Sequence, residues 1–160
     1  DALFEAYQPE RKGWNGLPMM PTPRRAHGTA VIDGELYAFG GRFGTSKDVL
    51  ATEVYRKSGE WKKLQDMPAA RTSFGTFVHD GKAHVLGGMN DTGLPAFIDV
   101  FDTALGTWSS FPLDLPHPRQ GLGVVQYKNR VYAIGGGMRK SFSVSDLNEV
   151  LILDAAVLKK

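Results

Sequence analysis

Three double glycines recur along the chain at an almost constant interval. The pairs are Gly40-Gly41, Gly87-Gly88 and Gly135-Gly136, so successive pairs are 47 and 48 residues apart. Each pair closes a short run with the composition of a β-strand. A fixed period of this length is typical of repeat architectures, in which one supersecondary unit is copied along the chain. The period therefore limits the possible folds more strongly than any single segment does.

Other residue types keep the same register. An arginine lies 16 residues before the first glycine of every pair, and another glycine follows that arginine by four residues. Tryptophans recur at intervals of 47 residues. The arginines are Arg24, Arg71 and Arg119, the following glycines are Gly28, Gly75 and Gly123, and the tryptophans are Trp14, Trp61 and Trp108. Because several independent offsets coincide, chance is a poor explanation.

Each repeat predicts short antiparallel strands joined by turns. In the first repeat, two strands flank Asp33-Gly34, a pair that accepts the positive φ angles of a two-residue hairpin turn. A variable polar loop and two further strands follow. The predicted strands are 4–7 and one from Trp14; 28–32, 35–39, 53–55 and one from Trp61; 75–78, 83–86, 98–101 and one from Trp108; and 123–127, 131–134 and 149–153.

A small four-stranded sheet has two apolar faces and can cover neither alone. Stacking such sheets radially buries both faces, so we predict an all-β protein with about three propeller blades of four antiparallel strands. Small residues suit the strand nearest the axis, and the recurring aromatic residues suit the wide gaps between outer strands. The predicted units are residues 1–23 (outer strands of a preceding blade), 24–70, 71–118 and 119–160, the last one incomplete.

Composition narrows the functional classes. Cysteine is absent, which excludes disulfides, thiolate metal sites and cysteine nucleophiles. The net charge is +2 with scattered cations, so a nucleic-acid footprint is not indicated. The four histidines lack metal-ligand spacing, and we expect neither a metal nor another cofactor. Since no signal peptide or membrane-spanning stretch is visible, we expect a cytoplasmic protein without a membrane partner.

The order Arg-x3-Gly, hairpin, Gly-Gly, then Tyr or Phe and Trp resembles the kelch repeat, and three copies cover nearly the whole chain. The resemblance implies a ring of about six or seven blades. It also implies that strands a to d run from the innermost to the outermost, with Gly-Gly ending strand b. Loops from b to c and from d to the next a are then the binding surfaces. Two departures are Ala83-His84 in the second repeat and the missing outermost strand and tryptophan of the third.

The repeated arginines have two interpretations. Arg24, Arg71 and Arg119 either tie loop carbonyls or an acidic side chain at a blade junction, or form a ring of cations that grips carboxylates at the channel mouth. In kelch proteins that bind acidic peptides, arginines at this repeat position contact the ligand, so the resemblance keeps the second interpretation open. Ser73 is placed to assist Arg71.

The loops between strands b and c differ most between repeats, and recognition is usually placed in such loops. They contribute Arg42, Asn90 and Arg139 as candidate partner-binding residues. For the aromatic residues of these segments, Phe43, Phe97 and Phe142, we favour inward packing over exposure.

The preferred function is a protein-interaction module that binds a protein or acidic peptide, as a substrate adaptor of ubiquitin ligases or as a scaffold, and not an enzyme. The alternative is a kelch-type sugar-handling enzyme such as a sialic-acid epimerase. A radical sugar oxidase is disfavoured because its cofactor needs a cysteine. Too few strands are predicted to close a ring. Either the chain is an excerpt of a longer propeller, or two copies form a homodimer that completes one ring.

Overall fold

The computed structural model describes residues 3–45 and 47–153, and this part of the chain is built from β-strands. Besides the strands it contains a single 3₁₀ turn, Pro9–Arg11. The strands are β1 Glu5–Gln8, β2 Gly13–Gly16, β3 Gly28–Ile32, β4 Glu35–Phe39, β5 Arg42–Phe43, β6 Lys47–Asp48, β7 Thr52–Tyr55, β8 Trp61–Lys63, β9 Gly75–His79, β10 Lys82–Leu86, β11 Phe97–Asp102, β12 Thr107–Asp114, β13 Gly123–Tyr127, β14 Arg130–Ile134 and β15 Asn148–Ile152. Among these residues no helix has the length and apolar character needed to cross a membrane.

The strands form a series of small antiparallel sheets. Blade 1 has the order β3-β4-β7-β8, blade 2 the order β9-β10-β11-β12, and blade 3 the order β13-β14-β15. The pair β1-β2, here called the half-blade, precedes blade 1. The predicted strands are present with ends shifted by at most one residue, and the all-β propeller-type fold is confirmed. The structure adds one ladder that the sequence did not indicate, β5-β6 inside the first loop.

The hairpins between strands a and b turn as their sequences require. Asp33 and Gly34 have φ angles of 52° and 74°, and Asp80 and Gly81 have φ angles of 49° and 69°. Both central residues of such turns need positive φ, a conformation that Asp and Gly tolerate. The turns set the register Ile32↔Glu35 and therefore the alternation of faces along every blade.

Glycine in the inner strands allows neighbouring blades to approach closely. A Cβ on Gly28 would lie 2.3 Å from the ring of Phe74, and one on Gly75 would lie 2.1 Å from a methyl group of Val124. Between these points, the Thr76 hydroxyl donates a hydrogen bond of 2.5 Å to the Thr29 carbonyl of the preceding blade. The junction between blades 1 and 2 and the junction between blades 2 and 3 therefore each depend on a glycine, which has no side chain, at the start of strand a.

Two apolar clusters lie at the junctions between blades. The cluster between blades 1 and 2 contains aromatic rings in edge-to-face and tilted contact, with Phe39 and Phe101 6.0 Å apart and Trp108 packed against both. The cluster between blades 2 and 3 is mainly aliphatic around Leu86 and Val131, with Phe77 as its buried aromatic residue. The prediction that large aromatic residues occupy the gaps between outer strands is confirmed at the first of these junctions.

The two ends of the stack are not covered by another blade in the part of the chain that the structure describes. On the far face of blade 3, Val125 and Tyr127 are 52% and 63% exposed. Ile134, Val150 and Ile152 share that face and are also exposed. At the other end, Trp14 of the half-blade is 67% exposed. Exposed apolar sheet faces of this kind favour association.

Candidate functional site

Arg71 lies entirely within blade 2 and has no exposed surface. One terminal nitrogen of its guanidinium donates to the carbonyls of Gly87 and Phe97 at 3.2 and 3.1 Å, and lies 3.5 Å from that of Val85. The other terminal nitrogen donates to the Asp99 carboxylate at 2.8 Å. The guanidinium also lies 4.6 Å from the centre of the Phe97 ring. Arg71 therefore joins strands b and c through both of its terminal nitrogens.

Arg24 makes the same connection in blade 1, and its side chain is fully buried. It donates to the carbonyls of Gly40 and Ala51 at 3.1 and 2.6 Å. Its Nε donates to the carbonyl of Thr22, and its remaining nitrogen pairs with the Glu53 carboxylate.

Arg119 repeats the arrangement in blade 3, again without exposed surface. Its Nε donates to Gly135 at 2.7 Å and a terminal nitrogen donates to Ala133 at 2.8 Å. The other terminal nitrogen bonds the His117 carbonyl and the Glu149 carboxylate. The imidazole Nδ1 of His117 lies 2.8 Å from the second oxygen of Glu149.

A common acceptor explains the constant spacing of the repeats. In every blade the arginine donates to the carbonyl of the first glycine of the pair, which lies 16 residues further along the chain. The offset cannot change without breaking this bond, because the hairpin between the two residues has a fixed length. These contacts support the structural interpretation of the three arginines. Contact of any of them with a ligand stays a prediction.

Burial and charge act against each other at these ion pairs. Burial raises the pKa of the Asp99 carboxyl and lowers the pKa of Arg71, while the opposite charge of the partner offsets part of both shifts. At Glu149, burial is outweighed by the hydrogen bonds from His117 and Arg119, so the pKa of this carboxyl is lowered. Asp99 and Glu149 are thus ion-paired within the blade framework.

These particular carboxylate partners were not predicted from the sequence. Glu53, Asp99 and Glu149 occupy one position of strand c in their blades. A signal was present, since each acid stands two residues before the aromatic position of strand c, which holds Tyr55, Phe101 and Leu151. The number of residues between each arginine and its acidic partner varies, because the intervening loops differ in length.

A chain of backbone hydrogen bonds links the blades beside the inner strands. The Ser73 N–H donates to the Ala26 carbonyl at 2.9 Å, and the Gly121 N–H donates to the Ser73 carbonyl at 2.7 Å. All three residues have positive φ angles, between 51° and 66°. Ser73 is half-buried at this line, and its backbone links three successive blades.

The loops between strands b and c meet the segments that precede strand a at one end of the stack. Three isolated bridges make this connection, one in each blade: Arg25↔Arg42, Thr72↔Met89 and Gln120↔Gly137. We call this end the mouth, formed by loop 1 (residues 40–51), loop 2 (87–96) and loop 3 (135–147). The structure brings Arg42, Asn90 and Arg139 to the mouth, whereas Arg24, Arg71 and Arg119 are engaged inside the blades.

Each loop has its own internal order. In loop 1, Arg42 donates to Asp48 at 2.6 Å within the β5-β6 ladder, and this hydrogen bond raises the pKa of Arg42. In loop 2, the Asn90 side-chain oxygen accepts from the backbone N–H groups of Thr92 and Gly93, both at 3.0 Å, so it closes an Asx turn.

Loop 3 is the most exposed of the three. Its Arg139 N–H donates to the Ser143 hydroxyl at 3.1 Å, while the Arg139 side chain lies in solvent. Lys140 crosses to loop 2 and donates to the Asp91 carbonyl at 2.6 Å. Loops 2 and 3 therefore form one continuous surface.

The aromatic residues of the loops do not pack inward as we favoured. Phe43 is 53% exposed and Phe142 is fully exposed, because their loops extend beyond the blade faces that could cover them. Phe97 lies at the start of strand c, is 39% exposed, and covers the Arg71 guanidinium. Within the described residues, no group of three or more His, Asp or Glu side chains is arranged to hold a metal ion.

Comparison with known proteins agrees with the repeat geometry. The family model for the KLHDC2/KLHL20/DRC7 Kelch-repeats domain matches residues 4–159. Human Kelch-like protein 33 is 42% identical over 43 residues, which cover 27% of this chain and 8% of that protein. The solved structure of YjhT superposes with a TM-score of 0.80 at 24% identity, covering 94% of this chain and 56% of YjhT. The chain thus spans about half the length of that structure and a small part of the human relative. The chain belongs to the kelch-repeat family.

Proposed function

We propose that the chain is a binding module that holds an acidic segment of a protein or peptide across the mouth. The observation that carries this proposal is the exposure of a cation and an aromatic ring on one loop, Arg139 and Phe142. Arg25 and Phe43 provide a second such pair beside loop 1. Arginine and aromatic side chains are enriched where proteins bind proteins, since they combine apolar area with directed donors.

The charges at the mouth favour an acidic partner. The three loops and Arg25 carry more cations than carboxylates, namely Arg25, Arg42, Lys47, Arg139 and Lys140 against Asp48, Asp91 and Asp146. Asp48 is already paired with Arg42. A segment that presents carboxylates next to an apolar side chain would meet both kinds of surface.

The experiment measures binding of fluorescein-labelled peptides rich in Glu and Leu by fluorescence anisotropy. Arg139→Glu should weaken binding by about tenfold at low salt, and the difference should shrink as salt screens the charges. Lys62→Glu is the matched control, because Lys62 is an exposed cation on β8 in the outer part of blade 1. Equal affinities of the two variants, or no binding of any acidic peptide, would count against the proposal.

A second arm of the same experiment tests the enzymatic alternative. Sialic acid carries a carboxylate but no peptide backbone. If the protein converts this sugar and Arg139→Glu abolishes the conversion, the mouth is a site of sugar chemistry instead. Once an acidic motif has been defined, the identity of the protein that carries it distinguishes an adaptor role from a scaffold role.

A further inference from the structure

We propose that a groove on blade 1 holds an aromatic side chain of the acidic segment that the mouth binds. The groove, here called the loop 1 groove, lies between loop 1, the segment 21–23 that enters blade 1, and Lys63 and Asp66 at and after the end of β8. Its volume is about 390 Å³, and all the residues that line it belong to the described part of the chain. The proposal rests on the function proposed for the mouth and names the side chain that anchors the partner there.

Blade 1 has the smallest side chain of the three blades at the position where strand c begins. The carbonyls of Ala51 and Phe97 accept the same hydrogen bond, from a terminal nitrogen of Arg24 in blade 1 and of Arg71 in blade 2. Both residues stand two places before the paired carboxylate of strand c, and the same place in blade 3 holds Leu147. A large apolar side chain is therefore compatible with this position of the repeat.

In blade 2 this position carries an aromatic ring. The Phe97 ring lies 4.6 Å from the guanidinium carbon of Arg71 and covers that group. In blade 1 the side chain ends at the Cβ of Ala51, and Ala51 lines the groove.

The wall of the groove that strand d provides also has a counterpart in blade 2. Asp66 and Asp114 are equivalent, because the residues that follow them, Met67 and Leu115, donate backbone hydrogen bonds of 2.8 Å to loop 1 and loop 2. Asp114 stands opposite Phe97 in the ladder of blade 2, and Asp66 lines the groove. The loop 1 groove therefore corresponds to the place that an aromatic ring takes in the neighbouring blade.

The groove has an apolar lining that is partly exposed to solvent. Phe43 is 53% exposed and Leu50 is 40% exposed, and both line the groove. Pro21 and Pro23 add apolar surface with a fixed φ angle from the segment that enters the blade. An aromatic ring that enters here removes apolar surface from water on both partners, and such side chains bury roughly 150–250 Å² each.

The charges around loop 1 favour carboxylates beside that ring. Cations outnumber acids there, with Arg25, Arg42, Lys47 and Lys63 against Asp48 and Asp66. Asp48 is paired with Arg42. Asp66 is paired with Lys63. Arg25 and Lys47 have no acidic partner among the described residues, so they are available to carboxylates that flank the aromatic side chain.

Fluorescence anisotropy with two fluorescein-labelled peptides tests the proposal. Both peptides are rich in Glu, and they differ at one central residue, which is Phe in one and Ala in the other. We expect the chain to bind the Phe peptide at least about tenfold more tightly than the Ala peptide. Ala51→Phe should abolish this preference and leave the affinity for the Ala peptide unchanged, because the ring of the chain itself then fills the groove, as Phe97 does in blade 2.

Two further variants accompany Ala51→Phe. Lys62→Phe is the matched control, because it adds the same ring at an exposed position of β8 that does not line the groove, and it should keep the full preference. Phe43→Ala removes a partly exposed wall without adding volume to blade 1, and it should reduce the preference at least about threefold. Thermal unfolding establishes that each variant is folded.

The results distinguish the groove from the mouth as a whole. Equal affinities of the two peptides, combined with weaker binding of both by Arg139→Glu, would overturn the groove as an anchor and leave the function proposed for the mouth in place. Binding of neither peptide would overturn both proposals. A preference that persists in Ala51→Phe and in Phe43→Ala would assign the aromatic contact to another surface and would also overturn the proposal.

Discussion

The imidazole of His84 stacks on the ring of Phe77, with ring centroids 4.4 Å apart and planes inclined by only 14°. His84 occupies the strand b position that holds Tyr37 and Tyr132 in the other blades. It is almost fully buried, and Phe111 meets the imidazole edge to face at 5.2 Å. Burial lowers the pKa of His84 to about 4. The ring is therefore neutral in the folded protein, where it serves as an aromatic packing element.

We expect the stability of the protein to fall as the pH is lowered from 6.5 towards 4 because of His84. The unfolded chain takes up a proton near the ordinary pKa of 6.5, whereas the folded chain resists protonation until about pH 4. Protons thus favour the unfolded state in this window, by up to about 3 kcal/mol. Urea unfolding measured at several pH values gives this slope.

The variant His84→Tyr provides the control for that measurement. Tyrosine is the residue of the equivalent positions and does not titrate in this range. Asp99 and Glu149 titrate equally in both proteins, so the difference between the two curves isolates His84. Curves that stay parallel from pH 7 to pH 4 would contradict the assignment.

Asp99→Asn should destabilise the protein strongly, although aspartate and asparagine have nearly the same shape. The substitution leaves the Arg71 guanidinium buried without its counter-charge, a situation that costs about 3–5 kcal/mol. Asp66→Asn is the comparison, since the Lys63–Asp66 pair is solvent-exposed on both sides and should lose at most about 1 kcal/mol. Chemical denaturation at neutral pH measures both. Similar small losses would show that the carbonyl acceptors alone hold Arg71.

Gly75→Ala and Gly123→Ala should differ in sign or size, although they change the same repeat position. A methyl group on Gly75 would lie 2.1 Å from Val124, whose branched side chain has little freedom to move. We expect a loss of about 1–3 kcal/mol from this overpacking.

At Gly123 the nearest atom to such a methyl group is the Ile134 carbonyl oxygen at 3.8 Å. Alanine should be neutral or slightly stabilising there, because it reduces the freedom of the unfolded chain. Thermal unfolding of the two variants measures the contrast, and equal losses would indicate that glycine is needed for a reason other than blade contact.

Much of the fold could be predicted from the sequence, because the interactions that determine it are local and are repeated in every blade. The strands, the hairpin turns and the arginine-to-glycine offset all depend on residues within one blade, so every repeat carries the same pattern. The position of the arginines inside the blades was one of two interpretations. The structure identifies Asp99 and Glu149 as their partners across a loop of variable length, and the place of each acid two residues before the aromatic position of strand c is the sequence signal that could have indicated them.

The mouth was less predictable for a related reason. An aromatic residue in a loop has no alternating neighbours that define an inner face. Phe43 and Phe142 could therefore not be assigned as exposed from the sequence.

The backbone hydrogen bonds from Ser73 to Ala26 and from Gly121 to Ser73 have a mechanical consequence. Because these bonds fix the spacing of the blades beside the inner strands, they act as a hinge line for the stack. Any change of tilt between neighbouring blades then leaves spacings near this line almost fixed and is amplified towards the periphery. A ligand that inserts between outer strands would therefore increase the angle between neighbouring blades, while the backbone hydrogen bonds beside the inner strands stay formed.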